Sequence, residues 1–267
     1  MSSEVVALAS KTFSDVTATI SEFVGTAQIS RPPDNFFDAE LIGSLADAYE
    51  WLDEQGARAI VLGSVGKHFC AGADFTGRSS AGRIGSGSGA GELYEQALRL
   101  FRAPLPVVAS VQGAAVGGGL GLACAADFRV ASPQSRFSAN FARIGLHQGF
   151  ALSVTLPAIV GQQRAAELLY TGRRIGGEVA ARIGLADRLV ETAELTDAAT
   201  ELAADIASAA PLAVRAIRAT MRGGLADRAR AAMARELSEQ HQLWPTADFA
   251  EGVKAAAERR PARFVGQ

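Results

Sequence analysis

The sequence predicts an α/β chain, with short strands and helices alternating to about residue 195 and a wholly helical region after that. Three observations carry this reading. Short apolar runs, Ala59–Leu62 and Val107–Val111, each lead into a turn of small residues, as buried strands do. Between them lie stretches of helical spacing, such as Leu41, Leu45, Ala48 and Leu52, stopped by Gly56. From Leu195 onward the chain is alanine-rich, and Leu195, Leu202 and Ile206 share one helical face.

In chain order, Asp15–Ile20 and Ala27–Ser30 are expected to form a hairpin around Gly25. Phe37–Gln55 follows as a helix and Ala59–Leu62 as a strand. Gly77–Gly91, rich in Gly, Ser and Arg, reads as a mobile loop. Glu92–Phe101 is expected to be a helix, Val107–Val111 a strand, and Leu120–Ala126 a helix. Phe128–Ala131 and Arg136–Ser138 are short strands. Ala158–Thr171 is predicted as one helix ending at Gly172, Glu178–Ile183 as another, and Ala186–Val190 as a last strand. Pro211 suits the first turn of a helix that Gly223-Gly224 ends. Asp248 with Glu251 has the spacing of a helix-start cap.

The composition narrows the function classes. With 267 residues and 48% hydrophobic content, the chain can bury a large core. A net charge of −2 and a pI near 6.0 give no basic surface for nucleic acid or anionic membranes. Met1–Ser10 has no cationic and apolar leader pattern. The apolar run Pro106–Ala126 carries five glycines and suits a buried strand-turn-helix better than a membrane span. Two cysteines, Cys70 and Cys124, form no disulfide framework and fit a reducing cytoplasm. The three histidines, His68, His147 and His241, show no metal-ligand spacing with them.

Two turns stand out chemically. Phe69-Cys70-Ala71-Gly72-Ala73-Asp74 and Val116-Gly117-Gly118-Gly119-Leu120-Gly121-Leu122 each follow a strand and expose main-chain N–H groups that no large side chain shields. Should the turns converge, two N–H groups can hold one developing oxyanion, as an enolate formed from a thioester carbonyl requires.

These residues resemble the crotonase superfamily, the enoyl-CoA hydratase/isomerase family. The resemblance is carried by Ser30-Arg31-Pro32, Phe69–Asp74, Val111-Gln112-Gly113-Ala114-Ala115-Val116-Gly117-Gly118-Gly119 and Ala123–Asp127. Thr171–Ile175, Gly184-Leu185 and the terminal Glu258–Phe264 add to it, and their order spans nearly the whole chain. The resemblance implies a crotonase-like superhelix of ββα units over residues 1–195, with a helical trimerisation region over 196–267. It implies homotrimers, often paired into hexamers, and an acyl-CoA substrate, with coenzyme A arriving as part of that substrate and no separate cofactor. It places the oxyanion-hole N–H groups on Ala71 and Gly118, runs Phe69, Ala71, Ala73 and Asp74 beside the coenzyme, and sets Arg259 near its ribose phosphate.

The chain departs from the family at its acids. The places of the two hydratase glutamates hold Gly121 and, in the Asn140-Phe141 pair, Phe141; a third acidic position holds Gly149. None of these side chains can activate water or protonate a carbon. Standard hydration is therefore not expected, and isomerisation, decarboxylation, C–C cleavage and slow hydration stay open. The alternative is a non-catalytic thioester binder or scaffold. His147, two residues before Gly149, can take and return a proton near neutral pH; otherwise it is a hydrogen-bonded histidine at a helix start. His68, Asp74, Asp127 and Cys70 read as structural, Phe141 as an apolar wall, and Tyr94 and Trp244 as packing residues.

Overall fold

A computed structural model describes residues 9–74 and 89–267. Most of the expected loop Gly77–Gly91 lies outside those residues; its last three residues open a helix. The chain runs β1 (Ala9–Phe13), β2 (Val16–Ser21), β3 (Val24–Ile29), α1 (Ala39–Glu54), β4 (Ala59–Ser64), α2 (Gly89–Arg102), β5 (Val107–Val111), β6 (Ala114–Val116) and α3 (Gly118–Ala125). It continues through β7 (Phe128–Ala131), β8 (Arg136–Ser138), a 3-10 turn (Asn140–Ile144), α4 (Leu152–Val160), α5 (Gln162–Thr171), β9 (Arg174–Gly176), α6 (Gly177–Arg182) and β10 (Arg188–Leu189). Four helices close the chain: α7 (Leu195–Ser208), α8 (Pro211–Met221), α9 (Leu225–Leu243) and α10 (Ala247–Glu258).

Among the described residues, the larger sheet has the order β1-β2-β3-β4-β5-β7-β10, antiparallel over its first three strands and parallel from β3 onward. A second sheet, β6-β8-β9, carries the glycine turn on the end of β6. Strand alternation splits the large sheet's contacts. Ile60 and Leu62 join the main core with α1 and α2, whereas Ala59 and Val61 meet α7 on the other face. The alanines at 199, 203 and 207 let α7 lie close against Val108 and Val130. The expected face of Leu195, Leu202 and Ile206 is thus shared: Leu195 is buried, while Leu202 and Ile206 pack from its partly exposed flank.

Three sequence expectations are corrected. The β2–β3 turn is Glu22-Phe23, both with positive φ (+47° and +68°), and Gly25 lies inside β3. A Cβ at Gly25 would stand 2.9 Å from Leu52, so this glycine makes room for α1 instead of making a turn. The helix expected over Ala158–Thr171 is two helices, broken at Gly161, whose φ of +82° ends α4. Asp248 and Glu251 do not cap α10; Thr246 does, accepting from the Phe249 N–H at 3.1 Å.

The two carboxylates instead bind the chain's last residues. Asp248 accepts from the N–H groups of Val265 (2.7 Å) and Gly266 (2.9 Å), and Glu251 accepts from Arg260 and from the Arg263 N–H. Asp127 is structural as expected: it accepts from the Val107 N–H and from Arg218 and Arg222, tying α8 to the start of β5. Bonding to Arg260 and the Arg263 amide holds the Glu251 carboxyl at about 2, against an ordinary 4.5. A depressed carboxyl stabilises the folded form above its unfolded value and loses that effect as pH falls. Protection of the Arg263 amide from hydrogen exchange should therefore be flat at neutral pH and decline between 4.5 and about 2. Glu251→Gln should remove it at pH 7.

Candidate active site

The two small-residue turns meet. Cys70 pairs with Ala115 in a parallel bridge; its N–H donates to the Ala114 carbonyl (2.9 Å) and its carbonyl accepts from Val116 N–H (3.0 Å). The contact is too close for side chains. A Cβ on Gly72 would stand 2.7 Å from the Val116 oxygen and 3.7 Å from the Gly118 nitrogen, and one on Gly118 would overlap the Phe37 ring. Gly118 opens α3, so its N–H has no acceptor within that helix.

Which amide of the first turn faces Gly118 follows from where the others go. The Ala71 N–H donates to the Asp34 carbonyl at 2.9 Å, so the expected role for that amide is corrected. The Gly72 N–H is turned to the Cys70 sulfur. Ala73 is the next amide along, and Ala73, Gly72 and Gly118 all line one cavity. Phe69 is fully buried, with its N–H on Gln112 O, and lies behind the turn. Burial pushes the Cys70 thiol up to about 12, which agrees with a packing role.

The cavity has a volume of about 240 Å³ and mostly apolar walls: Phe36, Phe37, Leu93, Phe141, Ile144 and Phe150 among them. Its polar lining includes Asp34, Asp74, Tyr94, Asn140 and Gln240. Phe141 is the apolar wall that was expected, and Asp74 is buried in the lining beside it. His147 is not among the lining residues; its Nδ1 lies 2.9 Å from the Gln148 carbonyl oxygen, which is the helix-start reading. His68 packs a loop, with Nδ1 accepting from the Ala114 N–H at 3.2 Å. Arg259 is exposed at the end of α10, one helical turn beyond Ala256, which does line the cavity.

Aromatic side chains also fill the space beside Gly121 and beside Gly149. A Cβ on Gly121 would stand 2.5 Å from the Phe150 Cβ and 3.0 Å from its Cγ. Phe150 packs on Phe37 at 5.6 Å between ring centroids. A Cβ on Gly149 would overlap the Tyr94 hydroxyl and stand 2.8 Å from Gln240 Nε2. Tyr94 donates to Gln240 Oε1 (3.2 Å), and Gln240 donates in turn to the carbonyls of His147 (3.1 Å) and Gln148 (3.3 Å). Burial, with Glu236 nearby, pushes the Tyr94 phenol well above its usual range, so it stays neutral and cannot serve as a base.

Phe150 and Ala151 both have φ +58°, a conformation that bulky residues adopt only when their surroundings impose it. Glu236 of α9 imposes it. This fully buried carboxylate accepts from the N–H groups of Ala151 (2.9 Å) and Ser153 (3.0 Å) and from the Ser153 hydroxyl (2.6 Å). It supplies the anion at the start of α4 that no local side chain provides. Burial raises its pKa and the three bonds oppose that rise. Sequence reading missed Phe37, Glu236 and Gln240 altogether. The available signal was helical spacing, since Met233, Glu236 and Gln240 lie three and four apart on the buried face of α9.

With this geometry in view, comparison with known proteins is direct. The sequence profile of the enoyl-CoA hydratase/isomerase family matches residues 19–267, and the chain belongs to that family. It is similar to a probable enoyl-CoA hydratase of Rhodobacter capsulatus, 37% identical over 212 residues, covering 79% of this chain and 82% of that one. It is 32% identical to a crotonyl-CoA hydratase of Syntrophomonas wolfei, covering 92% of this chain and 96% of the other. Among solved structures, an enoyl-CoA hydratase/isomerase of Pseudoalteromonas atlantica superposes with a TM-score of 0.82 at 30% identity, covering 94% of this chain and all (100%) of that one. The fold is that of the crotonase superfamily.

Two substitutions test the packing. Gly121→Glu should cost about 3 kcal/mol or more, since the new side chain starts inside the Phe150 contact. Glu236→Ala leaves two helix-start amides buried without their acceptor and should cost about 2–4 kcal/mol. Urea unfolding measures both.

Proposed function

We propose that the protein is an enzyme acting on an acyl-CoA thioester. It binds the thioester carbonyl between the N–H groups of Gly118 and Ala73 and moves a proton at the α-carbon through an enolate, without adding water. The observation that carries this reading is the pair of displaced acid positions: the space at Gly121 belongs to Phe150, and that at Gly149 to Tyr94. An amide pair without those acids stabilises an enolate but does not activate water across a double bond. Each well-aimed donor of this kind is worth on the order of 3 kcal/mol in the transition state.

Asp74 is the candidate base. It is a buried carboxylate in the cavity lining, adjacent in sequence to Ala73. The coenzyme would run along the first turn, with Arg259 offering a cation to its phosphates at the mouth. Coenzyme A enters as part of the substrate, and no further cofactor is called for. Among the described residues no helix is long and apolar enough to cross a membrane, and no cluster of His, Cys, Asp and Glu could hold a metal ion. The exposed apolar side chains of α8, Leu212, Ile217 and Met221, support the homotrimer or hexamer that the family resemblance suggests.

The test is exchange of the α-protons of butyryl-CoA in heavy water, followed by mass spectrometry, beside hydration of crotonyl-CoA followed by loss of its conjugated absorbance. The wild type should exchange, and Asp74→Asn should slow exchange at least a hundredfold. Hydration should run far below exchange. Hydration at an ordinary enzymatic rate overturns the reading. Tight binding of butyryl-CoA with neither exchange nor hydration makes the protein a thioester binder instead.

A further inference from the structure

Asn140 lines the cavity that Ala73 and Gly118 also line, and among the described residues its carboxamide makes no hydrogen bond to the protein. It opens the 3-10 turn after β8, where its backbone is fixed by contact with Gly172: a Cβ on Gly172 would stand 3.3 Å from the Asn140 Cα. Its side chain lies over Gly117, with Oδ1 3.2 Å from where a Cβ on that glycine would be. Gly117 directly precedes the N–H that opens α3. Asn140 and Gly118 line the same cavity.

Apart from Trp244, whose indole N–H also has no partner but is closed off from solvent, the other polar side chains of the lining are occupied or of the wrong kind for this task. Tyr94 and Gln240 are committed to each other and to main-chain carbonyls. Asp34 and Asp74, when ionised, only accept hydrogen bonds. Among the described residues, no group of the protein is hydrogen-bonded to the Asn140 carboxamide, although an amide carries two donors and an acceptor. Asn140 is half-buried, so its carboxamide is open to water or to a ligand in the cavity.

We infer that Asn140 is a catalytic residue: its side-chain N–H is a further donor to the acyl oxygen held by Gly118 and Ala73, so the developing enolate is met by a side chain as well as by the main chain. The inference rests on the enolate reading above. A carboxamide neither takes nor gives a proton near neutral pH, so Asn140 does no acid–base work. It stabilises charge as that charge appears, and its contribution is independent of pH. It also explains why a neutral residue suits this place, since a carboxylate beside the oxyanion would oppose the charge that the amides attract.

The test uses the full chain and three measurements: α-proton exchange of butyryl-CoA, affinity for butyryl-CoA and for coenzyme A by calorimetry, and thermal melting. Asn140→Asp keeps the shape and removes the donor; Asn140→Ala removes both. Each should slow exchange about a hundredfold to a thousandfold, as loss of one oxyanion donor does, with coenzyme A affinity within about twofold of wild type. The slowing should be the same at pH 6 and pH 9. Exchange at the wild-type rate in either folded variant overturns the inference. If Asn140→Ala does not fold, Asn140→Asp decides alone. If the wild type binds butyryl-CoA but does not exchange, the enolate function falls on its own, and the role of Asn140 is then read from affinity. In that case Asn140→Asp must lose at least about fivefold in the preference for butyryl-CoA over coenzyme A; an unchanged preference overturns it.

Discussion

The close approach of the first small-residue turn to the start of α3 is the constraint on which the rest of the molecule depends. Main chain lies against main chain, with the Gly72 Cα within a side chain's reach of Val116 O and Gly118 N. Such a contact survives only if both segments are fixed from behind. The first turn is anchored through Cys70 to β6 and through the Ala71 amide to Asp34. The second is fixed by the Gly117 N–H on Ser138 O and by burial of every residue of α3. The two sheets serve this junction: the large one delivers the chain to each turn, and the small one holds β6 and β8 at the spacing the junction needs.

Around this framework, aromatic side chains form one wall of the cavity. The space next to Gly121 is filled by a phenylalanine held in a left-handed conformation, and the space next to Gly149 by a neutral phenol. Phe150 is held by amides that Glu236 binds, and Tyr94 by Gln240, so two buried polar residues of one helix set the shape of the wall. The Gly121 and Gly149 positions are thus tied through Phe150 and Tyr94 to α9.

Much of this was legible in the sequence, for identifiable reasons. Strands buried on both faces, such as β5, and helices with strong apolar spacing, such as α1, declare themselves through local pattern. β1 does not, because its central residues are exposed and polar. The α4–α5 break was hidden because apolar spacing runs through Gly161, whose backbone conformation only the structure reveals. At the site, the two glycine-rich turns were readable because close approach demands small residues. The choice between Ala71 and Ala73 was not, since it turns on a hydrogen bond to Asp34 thirty-seven positions earlier in the chain. Glu236, Gln240 and Tyr94 were invisible as a set because their meeting is made by folding α9 onto α2 and α4.

The grip of Glu236 on the start of α4 has a consequence for how the molecule comes into being. The residue lies more than eighty positions after the amides it satisfies. While the chain is still being synthesised, the strand-and-helix body emerges with Ala151 and Ser153 uncapped and Phe150 free to relax out of its constrained geometry. The acyl cavity cannot take its final form in a nascent chain that stops short of α9. The wall of the cavity at Phe150 and Gln240 is therefore completed late, when that helix docks.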